Sequence, residues 1–210
     1  MTIALPMIVP EPANDRRSRK PSGQKAPLQP KEVWAIRVRL QLANRARDLA
    51  LFNLAIDSKL RGCDLLRLKV TDVAQMGEAR PRASVIQQKT GAPVRFEVTP
   101  AARETINAWI RKAELTDRDW LFPSRIRACP QLTTRQYQRL VKDWVSLIGL
   151  DPTRYGSHSL RRTKATQIYK RTGNLRAVQL LLGHAKIEST VQYLGVEVED
   201  ALTLSEQIEL

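Results

Sequence analysis

Two helix stops crowd into residues 157–193, SHSLRRTKATQIYKRTGNLRAVQLLLGHAKIESTVQY, and force that stretch into short pieces. Leu160, Ala165, Ile168 and Tyr169 mark one helix, with Ser157 or Ser159 as its cap. Thr172-Gly173-Asn174 ends it, because Gly173 suits a left-handed C-terminal position and Asn174 can cap the next helix. Leu175, Val178, Leu181 and Leu182 form that helix's apolar stripe. Gly183 closes it and delivers His184 to a turn, and a third short helix runs from Ile187 to about Tyr193. A chain that doubles back this tightly can bring His158, Arg161, His184 and Tyr193 within reach of one another. His158 and His184 are the only two histidines in the 210 residues.

Upstream, helical patterning begins at Lys31. Val33, Trp34, Ile36, Val38 and Leu40 open one helix, and Leu49, Phe52, Leu54, Ala55 and Ile56 carry a largely buried second one. Leu65, Leu66, Leu68 and Val70 lead to a turn near Thr71-Asp72. The period then changes. Residues 83–88 and 94–98 read as strands joined by the turn Lys89-Thr90-Gly91-Ala92-Pro93. Pro100 starts a helix through Ile106, Trp109 and Ile110, and Trp120-Leu121-Phe122-Pro123 reads as a buried loop. Thr133 or Thr134 caps a helix through Tyr137, Leu140, Val141, Trp144 and Ile148, ended by Gly149. The expected fold is mainly α with a small antiparallel β-sheet, an α+β domain of ordinary size with a sizeable core.

The chain has 35 Lys and Arg against 21 Asp and Glu, a formal net charge of +14. Five of those acids, Glu197, Glu199, Asp200, Glu206 and Glu209, lie in residues 194–210, which hold no Lys or Arg. Residues 1–193 therefore set 35 basic against 16 acidic side chains, an excess of 19. That excess implies a polyanionic partner, and nucleic acid is the first candidate. Cys63 and Cys129 are too few for a disulfide framework and match no zinc pattern, so a reducing, cytoplasmic setting is expected. No run of residues has the length and apolarity of a membrane span, and the proline-broken start, MTIALPMIVPEP, lacks the basic first region of a signal peptide.

The box His158-Ser159-Leu160-Arg161-Arg162, then Leu181-Leu182-Gly183-His184, then Tyr193 nine residues later resembles the C-terminal half of the tyrosine recombinases, the phage integrase family. Ala55-Ile56-Asp57-Ser58-Lys59-Leu60-Arg61-Gly62-Cys63-Asp64-Leu65 resembles that family's first arginine box, with Arg61 ending a buried helix and Asp64 three residues on. Lys89 lies in the hairpin turn where the family places its catalytic lysine, with Lys59, Lys69 and Lys164 as competitors. The resemblance implies catalytic roles for Arg61, Lys89, His158, Arg161, His184 and Tyr193, with Asp64 in support.

The chemistry is consistent with those residue types. Charge gathers on the non-bridging oxygens of a phosphodiester under attack, and Arg61 and Arg161 could clamp them with preorganised hydrogen bonds. A phenol with a pKa of about 10 is a poor nucleophile at neutral pH until its proton is removed or its anion stabilised. His158 is the candidate base, His184 can hydrogen-bond the phosphate, and Lys89 could protonate the leaving 5′-oxygen. The resemblance implies a 3′-phosphotyrosyl product that keeps the energy of the broken linkage, so no cofactor is expected. A metal is not expected either: there is no HExxH, and no acid or cysteine cluster surrounds the histidines. Without the resemblance, both histidines would read as buried and hydrogen-bonded.

The expected organisation is a flexible, basic, proline-rich arm over residues 1–30, a catalytic domain over 31–196 and an acidic tail helix over 197–210. Most members of the family carry a separate helical domain before the catalytic one, and the proline-rich arm is too short to form it. The likeness is therefore to short members such as the fimbrial inversion switches. Double-stranded DNA is the expected partner, contacted by Arg16, Arg17, Arg19 and Lys20 of the arm together with Arg162 and Lys164. Self-association into a tetramer, accessory DNA-binding proteins and a place at the nucleoid are further implications of the resemblance. The apolar positions Val198, Ala201, Leu202, Leu204 and Ile208 suit docking on the chain's own core or on a neighbouring protomer. Two other activities fit parts of this pattern: a nicking-closing enzyme of topoisomerase IB type, and a non-catalytic DNA-binding protein of the same fold.

Overall fold

The computed structural model describes residues 25–124, 130–195, 202, 205 and 206. Arg16, Arg17, Arg19, Lys20 and Cys129 lie outside the described residues, as does nearly all of the expected tail helix.

Helix α1 (Pro30–Leu42) begins on a proline whose missing N–H costs nothing at a first turn, and the Gln29 N–H donates to Glu32 Oε2 at 2.7 Å. It buries Val33, Ile36 and Leu40, while Trp34 turns outward at 68% exposure. α2 (Ala46–Ser58) is the centre of the molecule. Every residue from Ala50 to Ser58 is buried, which its near-continuous apolar run anticipates, and it packs against α1 and two later helices. α3 (Gly62–Leu66) and the one-turn α4 (Val70–Val73) come next, the latter where a simple turn was expected. A two-residue ribbon, β1 (Ala74–Gln75) and β2 (Glu78–Ala79), precedes the main hairpin of β3 (Arg82–Ile86) and β4 (Pro93–Glu97). The hairpin is antiparallel, with Val85 opposite Val94 and Ala83 opposite Phe96.

α5 (Pro100–Lys112) is capped by Thr99 and packs on α2. α6 (Thr134–Ser146) is capped by Thr133, whose Oγ1 accepts from the Gln136 N–H while Gln136 Oε1 accepts from the Thr133 N–H. α6 drives Trp144 into the core, edge-on to Phe52 at 5.5 Å. Leu121 and Phe122 of the intervening loop are fully buried. Three short helices close the described chain: α7 (Ser157–Thr172), α8 (Leu175–Leu182) and α9 (Ile187–Leu194). Their boundaries match the expected punctuation. Gly173 and Gly183 are left-handed at φ 62° and 63°, and Asn174 Oδ1 accepts from the Ala177 N–H. The start of α7 differs in detail. Gly156 holds the cap position, and Ser159 Oγ reaches back to accept its N–H.

Two apolar clusters result. The large one joins α1–α6, the hairpin and the first turn of α7. The small one consists of Ala165, Val178 and Leu182, with Ile168, Tyr169, Tyr193 and Leu194 packed against it. Its fully buried side chains contribute roughly 1.5–3 kcal/mol each for the larger ones, so α9 rests on far less apolar burial than α2. Thr190 is the only buried residue of α9. The folded body also begins earlier than the expected boundary. Leu28 is fully buried, its N–H donates to Thr163 Oγ1 at 3.0 Å, and the Ala26 N–H donates to the Arg154 carbonyl.

Candidate active site

The helix ends place the site. Lys59 ends α2 in the left-handed region at φ 54°, which turns the chain so that Arg61 leads into α3. Lys59 is 1% exposed; its Nζ donates to the Asp57 carbonyl at 2.5 Å and pairs with Glu97 Oε1 at 2.7 Å. Lys164 of α7 pairs with both Asp57 Oδ1 and Glu97 Oε1 at 2.8 Å, and Asp57 Oδ2 accepts from the Thr99 N–H and hydroxyl. This network joins the end of α2, the end of β4 and α7, the three elements that carry or adjoin Arg61, Lys89 and Arg161. Burial pulls the Lys59 ammonium down, while the two lysines hold Glu97 low against its own burial.

Gln87, at the base of the hairpin turn, joins the two arginine boxes. Its Oε1 accepts from Arg61 Nη1 at 2.5 Å and from the Thr90 hydroxyl, and its Nε2 donates to the Leu182 carbonyl at 3.3 Å. The same carbonyl accepts from Arg161 Nη2 at 2.8 Å. Asp64 Oδ1 accepts from the Gln88 N–H at 2.9 Å, so the acid fixes the hairpin beside Arg61. Gly183 makes this approach possible. A Cβ there would stand 2.4 Å from Val94 Cγ2 and 3.0 Å from Gln87 Nε2, in a backbone conformation that already favours glycine.

Around Tyr193 the expected residues converge. Its ring lies edge-on to His184 at 5.4 Å, with the guanidinium carbons of Arg161 and Arg162 at 5.9 and 5.5 Å from its centre. The phenol hydroxyl lies 3.5 Å from the His158 carbonyl oxygen. Arg161 is 3% exposed, and its Nη2 is also 3.4 Å from His184 Nε2. Arginine only donates, so Nε2 faces it as an acceptor and Nδ1 carries the proton toward Thr190 Oγ1 at 3.1 Å. Burial, then Arg161 and Arg61, bring His184 down to about 4. The same causes, with Arg162 added, lower His158. Both imidazoles are thus neutral at pH 7. Tyr193 is only half-buried by accessible area yet densely surrounded, and that burial raises its phenol to about 12 against the pull of Arg161, Arg162 and Arg61.

The structure thus brings together Arg61, Arg161, His184, Tyr193 and the backbone of His158, with Asp64 beside Arg61. Lys89 stands on the exposed turn two residues beyond Gln87, and among the described residues it forms no hydrogen bond or ion pair with this group. Arg162 and Lys164, expected on DNA, are instead engaged internally. Arg162 is 6% exposed and donates from Nη1 to the Lys25 carbonyl, while Lys164 belongs to the Asp57–Glu97 network. Lys69 lies over the Trp120 ring at 5.5 Å. Gln87 and Thr190 were missed by sequence reasoning. Neither has a distinguishing residue type, and only the approach of the hairpin and α9 gives them a role. Among the described residues no cluster of His, Cys, Asp or Glu could hold a metal ion.

The fold is that of the tyrosine recombinase catalytic domain, helices gathered round a small antiparallel hairpin with paired arginines facing a tyrosine. The chain belongs to the phage integrase family, whose family model matches residues 28–199. The tyrosine recombinase XerD of Caulobacter vibrioides is 33% identical over 174 residues, covering 77% of this chain and 55% of that protein. Among solved structures, XerA recombinase superposes with a TM-score of 0.70 at 21% identity, covering 89% of this chain and 66% of the other. XerH site-specific recombinase bound to its difH substrate gives 0.68 at 20% identity, covering 86% and 53%. The chain thus spans about half the length of the XerD relative.

Proposed function

We propose that this chain is a site-specific DNA recombinase of the integrase or invertase type that cleaves and rejoins double-stranded DNA through Tyr193. The observation that carries the reading is the gathering of Arg61, Arg161, the neutral His184 and the backbone of His158 around one tyrosine. Arg61 and Arg161 supply fixed positive charge to the non-bridging oxygens, where it is strongest in a partly desolvated site. His158, neutral near pH 7, accepts the phenol proton as the Tyr193 oxygen bonds to phosphorus and the 5′-oxygen leaves. Lys89, on its exposed turn, delivers a proton to that oxygen when the hairpin closes on DNA. Once DNA draws Nε2 of His184 away from Arg161, the ring takes its other tautomer, in which Nε2–H donates to the phosphate and Nδ1 accepts from the Thr190 hydroxyl. The products are a 3′-phosphotyrosyl bond and a 5′-hydroxyl, and attack by another 5′-hydroxyl reverses the step without an external energy source. Burial of Tyr193 holds the phenol protonated against the pull of the arginines, so the step needs a base to take its proton.

The basic excess of the chain and the DNA-bound XerH structure support duplex DNA as the partner. A tetramer on DNA, accessory DNA-binding proteins and a cytoplasmic, nucleoid-associated setting belong to the same reading. No described helix is long and apolar enough to cross a membrane. The test is incubation with a nicked duplex in EDTA, followed by denaturation. A covalent adduct that persists without divalent metal supports the reading, and a strict Mg²⁺ requirement contradicts it. Strand exchange through a four-way junction distinguishes recombination from nicking and closing.

A further inference from the structure

Arg162 is buried at an apparent loss. A nearly enclosed guanidinium is costly unless fully hydrogen-bonded, yet its Nε is buried without a hydrogen-bond partner, and its hydrogen bond from Nη1 goes to the Lys25 carbonyl at 2.6 Å. It also stands over the face of Tyr193, 5.5 Å from the ring centre. Residues 25–29 cross α7 as a strap. Lys25 Nζ donates to the Thr153 carbonyl at 2.6 Å, the Ala26 N–H to the Arg154 carbonyl, and the Leu28 N–H to Thr163 Oγ1, with the Leu28 side chain fully buried. One guanidinium therefore touches both the strap and the candidate nucleophile.

We propose that Arg162 is a positioning residue that fixes the Tyr193 ring from behind and ties its placement to the strap at residues 25–29. A strongly basic stretch, Arg16-Arg17-Ser18-Arg19-Lys20, lies a few residues before the strap in sequence. The helix bearing Tyr193 rests on the small apolar cluster, so a cation over its aromatic ring is a large share of what orients it. The charged groups acting on the Tyr193 phenol are Arg161 and Arg162 from α7 and Arg61 from just before α3, with the His184 ring edge-on to it from the turn before α9 and the His158 backbone carbonyl beside its hydroxyl. Arg162 adds to the positive charge that favours the phenolate.

The inference rests on the proposed strand cleavage, and the test separates the two. Full-length wild type, Arg162→Gln and Arg162→Lys are compared for DNA affinity, for the rate of adduct formation on saturating nicked duplex across pH, and for tryptic cutting after Lys25 followed by mass spectrometry. Arg162→Gln is expected to retain affinity, to cleave roughly tenfold more slowly, to shift its rate curve to higher pH, and to be cut faster after Lys25. Arg162→Lys is expected to keep the pH curve, because the charge remains, but to lose protection at Lys25, because the fork is gone. If Arg162→Gln loses affinity and cleaves bound DNA at the wild-type rate, Arg162 is a DNA contact and the inference fails. Should Arg162→Gln not fold, wild-type rate and wild-type protection in Arg162→Lys overturn it as well. A wild-type protein that forms no adduct contradicts the proposed function, while the tryptic comparison still tests the tie to the strap.

Discussion

Arg161 and Gln87 donate to the same acceptor, the carbonyl of Leu182, at 2.8 and 3.3 Å. One residue belongs to α7, the other to the base of the hairpin turn, and the carbonyl ends α8. Gln87 also accepts from Arg61, so a single amide connects both arginines to the backbone that turns toward His184. The relative placement of Arg61 and Arg161 is therefore set by the Gln87 amide.

Replacing Gln87 with leucine removes the acceptor for Arg61 and one donor to Leu182 while keeping the volume. Cleavage of bound DNA is expected to fall by roughly ten- to a hundredfold, with a stability loss of about 1–3 kcal/mol from polar groups left unpaired. Single-turnover cleavage and urea unfolding measure the two effects, and Gln87→Glu is expected to recover part of the rate by accepting from Arg61.

Gly183→Ala sets a methyl group against Val94 in a left-handed backbone. Overpacking and backbone strain together are expected to destabilise the protein by about 2–4 kcal/mol. Thermal unfolding checks this. The double variant Gly183→Ala with Val94→Ala is expected to recover the steric part and not the backbone part.

Glu97→Gln leaves the Lys59 ammonium buried with a backbone carbonyl and no carboxylate at bonding distance. Partial exposure of Glu97 and the freedom of Lys59 to lose its proton limit the cost to roughly 2–3 kcal/mol. Denaturant unfolding reads that loss, and Lys59→Gly in the same background is expected to restore most of it, since glycine suits the left-handed position.

His184 is held down to about 4, with burial the first cause and Arg161 and Arg61 adding to it. The unfolded chain, with an imidazole pKa of about 6.5, then binds more protons than the folded one between those values. Stability is complete above the unfolded value and declines as pH falls through that window, by roughly 1–2 kcal/mol after allowance for partial solvent screening. His184→Gln is expected to flatten this decline. Unfolding curves at pH 7.5 and pH 4.5 decide it, and an identical decline in the variant contradicts the assignment.

Local signals served well where geometry is local. The left-handed glycines at 173 and 183, the Asn174 and Thr133 caps and the hairpin around Gly91 all act within a few residues of where they stand, so the boundaries of the last three helices were legible. The candidate residues Arg61, Arg161, His184 and Tyr193 were legible through their order and spacing. What could not be read depends on contacts between distant segments. Arg162 and Lys164 share the sequence character of surface cations, yet Lys25 and Glu97, which engage them, come from far away in the chain. Trp34 fits the apolar pattern of α1 and still faces outward, because a helix buries a stripe and not every apolar residue on it.

The most direct measurement maps the covalent bond. Wild-type protein is trapped on a nicked duplex in EDTA, digested with protease and nuclease, and the peptide carrying the nucleotide is sequenced by mass spectrometry. The account predicts a 3′-phosphate ester on Tyr193, no adduct from Tyr193→Phe, and DNA affinity of that variant close to wild type. A nucleotide on any other residue, or an adduct that survives Tyr193→Phe, would contradict it.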